Sequence, residues 1–318
     1  MNVLEIRHLS VSFAAEGGSL QALKDVSIDV PEHCIVGVVG ESGCGKSTLI
    51  NSILRLLPDN GSIDAGSIHF EEQDLTQAGR PKMQDIRGQR ISTVFQDPMD
   101  ALNPVLSIAD QMLHIQYRSG LGRKEKNARS LDMLRRVRIP DPESALKRYP
   151  HEFSGGMKQR IAIAMAMMME PALLIADEPT TALDATLEVA IIKLMKDLQS
   201  HIGCSMLFIS HHLGLIAELC DQVVVMYAGE VLERGTARQI FHNPWHPYTE
   251  RLLDCDPGSQ SSRMRHLPTI PGEIPDLKKR QEGCIFRSRC QFCEDICHAM
   301  PDEIQSNGHH VRCHRRSP

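Results

Sequence analysis

The hydrophobic pattern changes period along the chain and so divides it. CIVGVVG (34–40) is an apolar run of buried-strand type that ends in glycines, and STLINSILRLL (47–57) after it carries apolar residues at helical spacing. Four more continuous apolar runs have strand length: ISTVF (91–95), ALLIA (172–176), SMLFIS (205–210) and VVVMY (223–227). Helical stretches, 186–201 and 211–220, lie between the later runs. Strands apolar on both faces that alternate with helices predict a parallel α/β sheet. Residues 104–169 differ, with helical patterns at 107–117, 124–138 and 155–169 and no convincing strand. They predict a helical subdomain inserted into the α/β core. GEVLERG (229–235) predicts a short hairpin after the last core strand. Residues 256–283, rich in Pro, Gly, Ser and charge, predict a linker or extended arm.

Composition narrows the class. Of 318 residues, 42% are hydrophobic and 24% charged, which suits an ordinary folded protein of about two domains and excludes a disordered chain, a collagen and a simple coiled coil. The net charge of −5 argues against nucleic acid as the main partner, because phosphate backbones need clustered Lys and Arg. The longest apolar stretch, Ile161 to Met169, is broken by Glu170-Pro171 and falls far short of the roughly 20 residues a spanning helix needs. The start, MNVLEIRHLSVSF, has no basic leader followed by an apolar core. The expectation is a cytoplasmic chain whose membrane role is peripheral and runs through partners.

Two segments carry recognisable chemistry. Gly40-Glu41-Ser42-Gly43-Cys44-Gly45-Lys46-Ser47 fits G-x-x-x-x-G-K-[ST] in full, after a strand and at the start of a helix. Glycines let backbone N–H groups turn inward around phosphate oxygens, and the helix N-terminus adds positive potential. Lys46 is expected to reach the β- and γ-phosphates and the Ser47 hydroxyl to ligate Mg²⁺, with Thr48 completing the binding segment. Leu173-Leu174-Ile175-Ala176-Asp177-Glu178 is four apolar residues followed by two carboxylates. Asp177, at the C-terminal end of that strand, is expected to hold Mg²⁺ through water, and Glu178 to polarise the attacking water as general base. By itself the pair also fits a solvated turn before Pro179.

Between these segments lies Phe153-Ser154-Gly155-Gly156-Met157-Lys158-Gln159-Arg160, with Gln96 at one strand end and His211 after another. The ordered set resembles the nucleotide-binding subunits of ABC transporters, over residues 3 to about 254. The resemblance implies that Gln96, in Phe95-Gln96-Asp97-Pro98, is the Q-loop glutamine and a further Mg²⁺ contact. Ser154, Gly155 and Gly156 form the signature loop, Asp184 in Ala182-Leu183-Asp184 the D-loop, His211 the switch histidine, and Phe13 the ring that stacks on adenine. It also implies head-to-tail dimerisation, the Ser154 loop of one cassette closing on the ATP held by Lys46 of the other. Alone, Ser154 would be a helix cap, Gln96 a surface residue and His211 a packed histidine.

PHEFSGGMKQR, LLIADEPTTALDAT, VMYAGEVLERG and NPWHPYTERLL resemble one branch, the ATPase subunits of oligopeptide/dipeptide/nickel-type importers. That branch implies a heterodimer with a second homologous ATPase, two permease subunits and an external solute-binding protein, at the cytoplasmic face of the inner membrane. His212 in place of Asp, Ala185 in place of Val and Cys34 in place of Glu depart from its usual pattern without removing a catalytic residue. The rivals are a non-transport ABC-type ATPase and an ATP-binding metal-cluster regulator.

Five of the ten cysteines crowd into the last 35 residues. In a reducing compartment such a cluster points to a metal site rather than disulfides. The spacing Cys284-x5-Cys290-x6-Cys297-x15-Cys313 matches the branch's tail, which implies a [4Fe–4S] cluster. The thiolates alone also suit zinc, or no metal at all. Cys293 is outside the four, and His298, His309, His310 and His314 are substitute ligands. Pro244-Trp245-His246-Pro247-Tyr248-Thr249 is expected to pack the tail onto the core. The expected architecture is an α/β P-loop NTPase of the ABC type, with the helical insert at about 98–169 and a small antiparallel β subdomain. It occupies residues 1–254, and a Cys-rich extension occupies 255–318.

Overall fold

The computed structural model describes residues 1–97, 101–181, 183–256 and 268–315. Pro98 at the start of the expected helical insert, Ala182 before the D-loop, and 257–267 of the arm lie outside the described residues. The chain divides into two units, Met1–Ala78 with Ile209–Pro318, and Gly79–Phe208.

The first unit opens with two long antiparallel strands, β1 (Asn2–Ala15) and β2 (Gly18–Pro31). Both bury alternate residues, but His8 and Asp25 take left-handed φ of 50° and 52°, and the register shifts between Ile6 and Leu9. The apolar alternation therefore slips phase within each strand. The fully buried β3 (Ile35–Val39) leads into helix α1 (Lys46–Ile53). The expected helix to residue 57 stops early because Arg55 adopts a φ of 53°, which no continuing helix permits. β4 (Gly61–Phe70) and β5 (Gln73–Asp74) complete a four-stranded antiparallel sheet in the order β2-β1-β4-β5.

In the second unit, α2 (Arg80–Ile86) precedes β6 (Ile91–Val94). Between β6 and the next strand the described residues form helices α3 (Ile108–Ile115), α4 (Arg123–Arg136), α5 (Pro142–Ala145) and α6 (Gly155–Met167). α6 buries nearly all its apolar residues, which accounts for its weak amphipathic pattern. β7 (Leu173–Asp177), α7 (Ala185–Ile202) and β8 (Ser205–Ile209) follow, with β6 and β7 parallel and the order β8-β7-β6.

The chain then returns to the first unit with α8 (Leu213–Leu219) and β9 (Gln222–Tyr227), parallel to β3. β10 (Glu230–Thr236) folds back antiparallel on β9, as the hairpin pattern predicts. After α9 (Ala237–His242) and α10 (Pro247–Asp254), the tail adds the antiparallel pair β11 (Glu303–Ser306) and β12 (His309–Arg312), giving β11-β12-β10-β9-β3. These last two strands are polar and were not visible in the hydrophobic pattern. What seats them is a buried carboxylate. Glu233 on β10 accepts from the backbone N–H of Trp245 (2.6 Å) and His246 (2.9 Å) and lies 2.7 Å from the His309 ring, which stacks on Trp245. The tail is a sewn-on part of the first unit, and residues 244–249 hold it there. Among the described residues, no helix is long and apolar enough to cross a membrane.

Candidate functional site

The phosphate loop, residues 40–47, is held by close backbone approaches. Gly40 has φ 154°, and a Cβ there would lie 2.1 Å from the Met226 carbonyl oxygen. Gly45, at the helix cap, has φ 105°, and its Cβ would lie 2.7 Å from Leu23. A side chain is excluded at Gly40 by conformation and by the backbone beside it, and at Gly45 by conformation. The Lys46 ammonium is buried and donates to the carbonyls of Gly40 (2.7 Å) and Glu41 (3.1 Å), curling the loop around its own cation. Burial keeps the Cys44 thiol protonated against the pull of that ammonium. Ser42, Gly43 and Ser47 stay exposed, so the mouth of the loop faces solvent. Phe13 on β1 is half-buried and packs against Gly61, where a Cβ would lie 2.8 Å from its ring.

In the second unit, Asp177 ends β7 half-buried, and Glu178 follows at a φ of 46°. A non-glycine residue held left-handed stores strain, which persists where surrounding contacts over-determine it. Here Gln159 donates to the Pro179 carbonyl at 2.6 Å, Thr180 donates to the buried Glu188 at 2.7 Å, and Thr181 donates to the Glu178 carboxylate at 3.0 Å. Asp184 caps α7, accepting from Thr186 and Leu187 at 3.1 and 3.0 Å. Ser154 caps α6 with a long bond, 3.4 Å, from the Met157 N–H. A Cβ on Gly155 would meet nothing within 4 Å. Gln96 is exposed just beyond β6. In the first unit, His211 and His212 are exposed before α8, with ring centres 4.4 Å apart. The expected helix thus begins two residues late and leaves both rings outside it.

The tail's Cys284, Cys290, Cys297 and Cys313 line one cavity of about 50 Å³. His246 and His314 also line it. His309 and His310 do not, being committed to Glu233 and to Arg234 and Glu303, and His298 lies outside the lining, so these three are not the substitute ligands the sequence suggested. Cys293 is exposed and likewise outside it. Burial, together with charge on Cys313, Cys297 and Cys290, pushes the Cys284 thiol up to about 12. His246 is fully buried, its pKa lowered to about 4 by that burial. Its Nδ1 accepts from the Tyr248 N–H, so Nε2 carries the proton, and this buried donor has no partner among the described residues. No three His, Cys, Asp or Glu side chains among the described residues are gathered to hold a single metal ion.

The residue that sequence reasoning missed is Arg289. It is buried in the tail and forms a two-pronged ion pair with Glu41 of the phosphate loop. No local signal marks it, because the partners are 248 positions apart.

The ABC transporter family matches residues 23–181, and the oligopeptide/dipeptide transporter C-terminal region matches 232–297. The dipeptide transport ATP-binding protein of Bacillus subtilis is 44% identical over 98% of this chain and 94% of its own. The oligopeptide transport ATP-binding protein of the same organism is 42% identical over 92% and 83%. Among solved structures, a component of the cbiONQ ABC transporter from Clostridium perfringens superposes with a TM-score of 0.66 at 28% identity, covering 76% of this chain and 91% of that one. The dimeric bacterial ABC transporter cassette MJ0796 gives 0.65 at 26%, covering 74% and 99%. On these matches, and with its phosphate loop formed as that family requires, the chain belongs to the ATP-binding proteins of ABC transporters, in the group that carries the oligopeptide/dipeptide C-terminal region.

Proposed function

We propose that this chain hydrolyses MgATP to ADP and phosphate to drive uptake of di- and oligopeptides, working peripherally at the cytoplasmic face of the inner membrane. The carrying observation is the phosphate loop, with Gly40 and Gly45 held at φ values that favour glycine and its buried Lys46. Phe13 stacks on adenine, and residues 40–48 take the phosphates, the loop N–H groups and Lys46 neutralising charge that builds up in the transition state. Ser47, Gln96 and Asp177 hold Mg²⁺. Glu178 accepts the proton of the attacking water, and His211 supports the γ-phosphate. Ser154, Gly155, Gly156 and Asp184 serve the nucleotide of a second, homologous ATPase subunit in a heterodimer. Closure and reopening of that pair moves two permease subunits beside Gln96, which an external solute-binding protein supplies. No step involves nucleic acid.

Replacing Glu178 with Gln tests this reading. ATP binding should survive and hydrolysis should fall by about a hundredfold or more. The tagged variant, purified from native membranes with ATP, should bring two permeases and a second ATPase. Unchanged hydrolysis would contradict the assigned chemistry, and recovery with ribosomes or DNA would contradict the transport role.

A second assignment concerns the tail, where Cys284, Cys290, Cys297 and Cys313, which line one cavity beside the unpartnered His246 donor, are proposed to hold a [4Fe–4S] cluster, with zinc as the alternative. When bound, such a cluster would keep the four sulfurs as thiolates, and His246 would donate its Nε2–H towards them. Anaerobically purified chain should contain about four iron and four acid-labile sulfide per chain. One zinc per chain, or no metal, would overturn it.

A further inference from the structure

Glu41 carries the only carboxylate within the loop 40–47, which is built to receive phosphates. Both of its oxygens are taken by Arg289, with Nη1 to Oε2 at 2.7 Å and Nη2 to Oε1 at 3.1 Å. Arg289 is itself seated by the carbonyls of Pro271 (2.9 Å) and Ile270 (3.0 Å) and by the Tyr227 hydroxyl (3.2 Å). The Glu41 backbone is pinned as well. Its N–H donates to the Tyr248 hydroxyl at 2.9 Å, and its carbonyl accepts from Lys46 at 3.1 Å. The first turn of the loop is therefore shaped by side chains from the C-terminal part of the chain, and one of them, Arg289, adjoins Cys290. A paired, hydrogen-bonded carboxylate is turned away and neutralised, whereas an unpaired one beside a triphosphate repels it.

We propose that Arg289 is a positioning residue for ATP: it neutralises Glu41 and holds the phosphate loop open to the nucleotide, so that the Cys-rich tail sets nucleotide affinity. The inference rests on the reading that this loop binds ATP. It makes the tail part of the nucleotide site rather than an appendage, and any disturbance of the thiol cavity beside Cys290 is transmitted to Glu41 through Arg289.

The test is a double-mutant cycle on the full chain, reading the ATP dissociation constant with Mg²⁺ together with kcat and KM. Arg289→Gln should weaken ATP binding by about tenfold and raise KM in step, with kcat at saturating ATP changed much less. Arg289→Lys, which keeps the charge but not the fork, should lose about threefold. Glu41→Gln should leave ATP binding as tight or tighten it, because it removes the loop carboxylate that otherwise has to be neutralised. In the Glu41→Gln background either Arg289 change should cost at most about twofold. Should Arg289→Gln not fold, Arg289→Lys in the two backgrounds supplies the cycle. Equal losses in both backgrounds would mean that Arg289 is merely structural, and unchanged affinity in Arg289→Gln would overturn the inference directly. Failure of the unaltered chain to bind ATP would instead sink the functional reading on which it rests.

Discussion

Two glycine-bearing loops open helices in this molecule, and they are built in opposite ways. The loop at 40–47 is closed on itself, with Gly40 against the Met226 carbonyl, Lys46 bonded back to two loop carbonyls, and Glu41 held by Arg289 and Tyr248. The loop at 154–156 is open. Its cap bond is 3.4 Å long, and nothing stands within 4 Å of a Cβ placed on Gly155. A loop whose backbone is held by its own chain while its mouth stays exposed is suited to receive a ligand. A loop left bare, at the end of a well-buried helix, is suited to meet a surface from another molecule. The proposed function gives the two loops different parts, one chain supplying the cradle for a nucleotide and another supplying the cover.

The comparison breaks most visibly at the glycines. Gly40→Ala places a methyl group 2.1 Å from a backbone oxygen at a φ that L residues rarely adopt. It should cost at least about a hundredfold in ATP affinity, measured by titration of the purified chain. Gly155→Ala meets no such obstacle and should melt within about 2 °C of the unaltered protein. If the open loop covers a partner's nucleotide, this variant should still lose about tenfold in hydrolysis in the assembled transporter. A large drop in melting temperature would show that the loop is not open after all.

A smaller effect sharpens the contrast between caps. Asp184 accepts two backbone N–H groups of α7, so Asp184→Ala should cost about 1 kcal/mol of stability, seen as a drop of roughly 2–4 °C in Tm. Asp184→Asn should retain most of it. Smallest of all, Phe13→Tyr keeps the face that packs on Gly61 and should leave ATP affinity within about twofold.

The ease of reading these parts from sequence follows how local their causes are. β3, β7, β8 and β9 are continuous apolar runs, and the phosphate loop is a contiguous motif whose glycines are dictated by adjoining backbone. The long β1–β2 pair was hidden because the left-handed His8 and Asp25 shift the inward face in mid-strand. The tail strands β11 and β12 were hidden because polar partners seat them, above all Glu233 beneath His309. The spacing of the four cysteines did point to one place, and they line one cavity. Which histidines stand with them was not legible, since His246 comes from the segment read as packing alone while His309 and His310 turn to Glu233 and Arg234. Arg289 was invisible for the same reason: an ion pair across 248 positions has no sequence period.

The central claim, that the closed loop binds this chain's own nucleotide while the open one serves another's, is tested most directly by ATP titration of dilute, purified chain carrying either Lys46→Ala or Ser154→Ala. The account predicts that Lys46→Ala abolishes binding, and that Ser154→Ala binds ATP as the unaltered chain does yet fails to support hydrolysis in the assembled transporter. Equal loss of binding in both variants would contradict it, because both loops would then be serving one nucleotide within one chain.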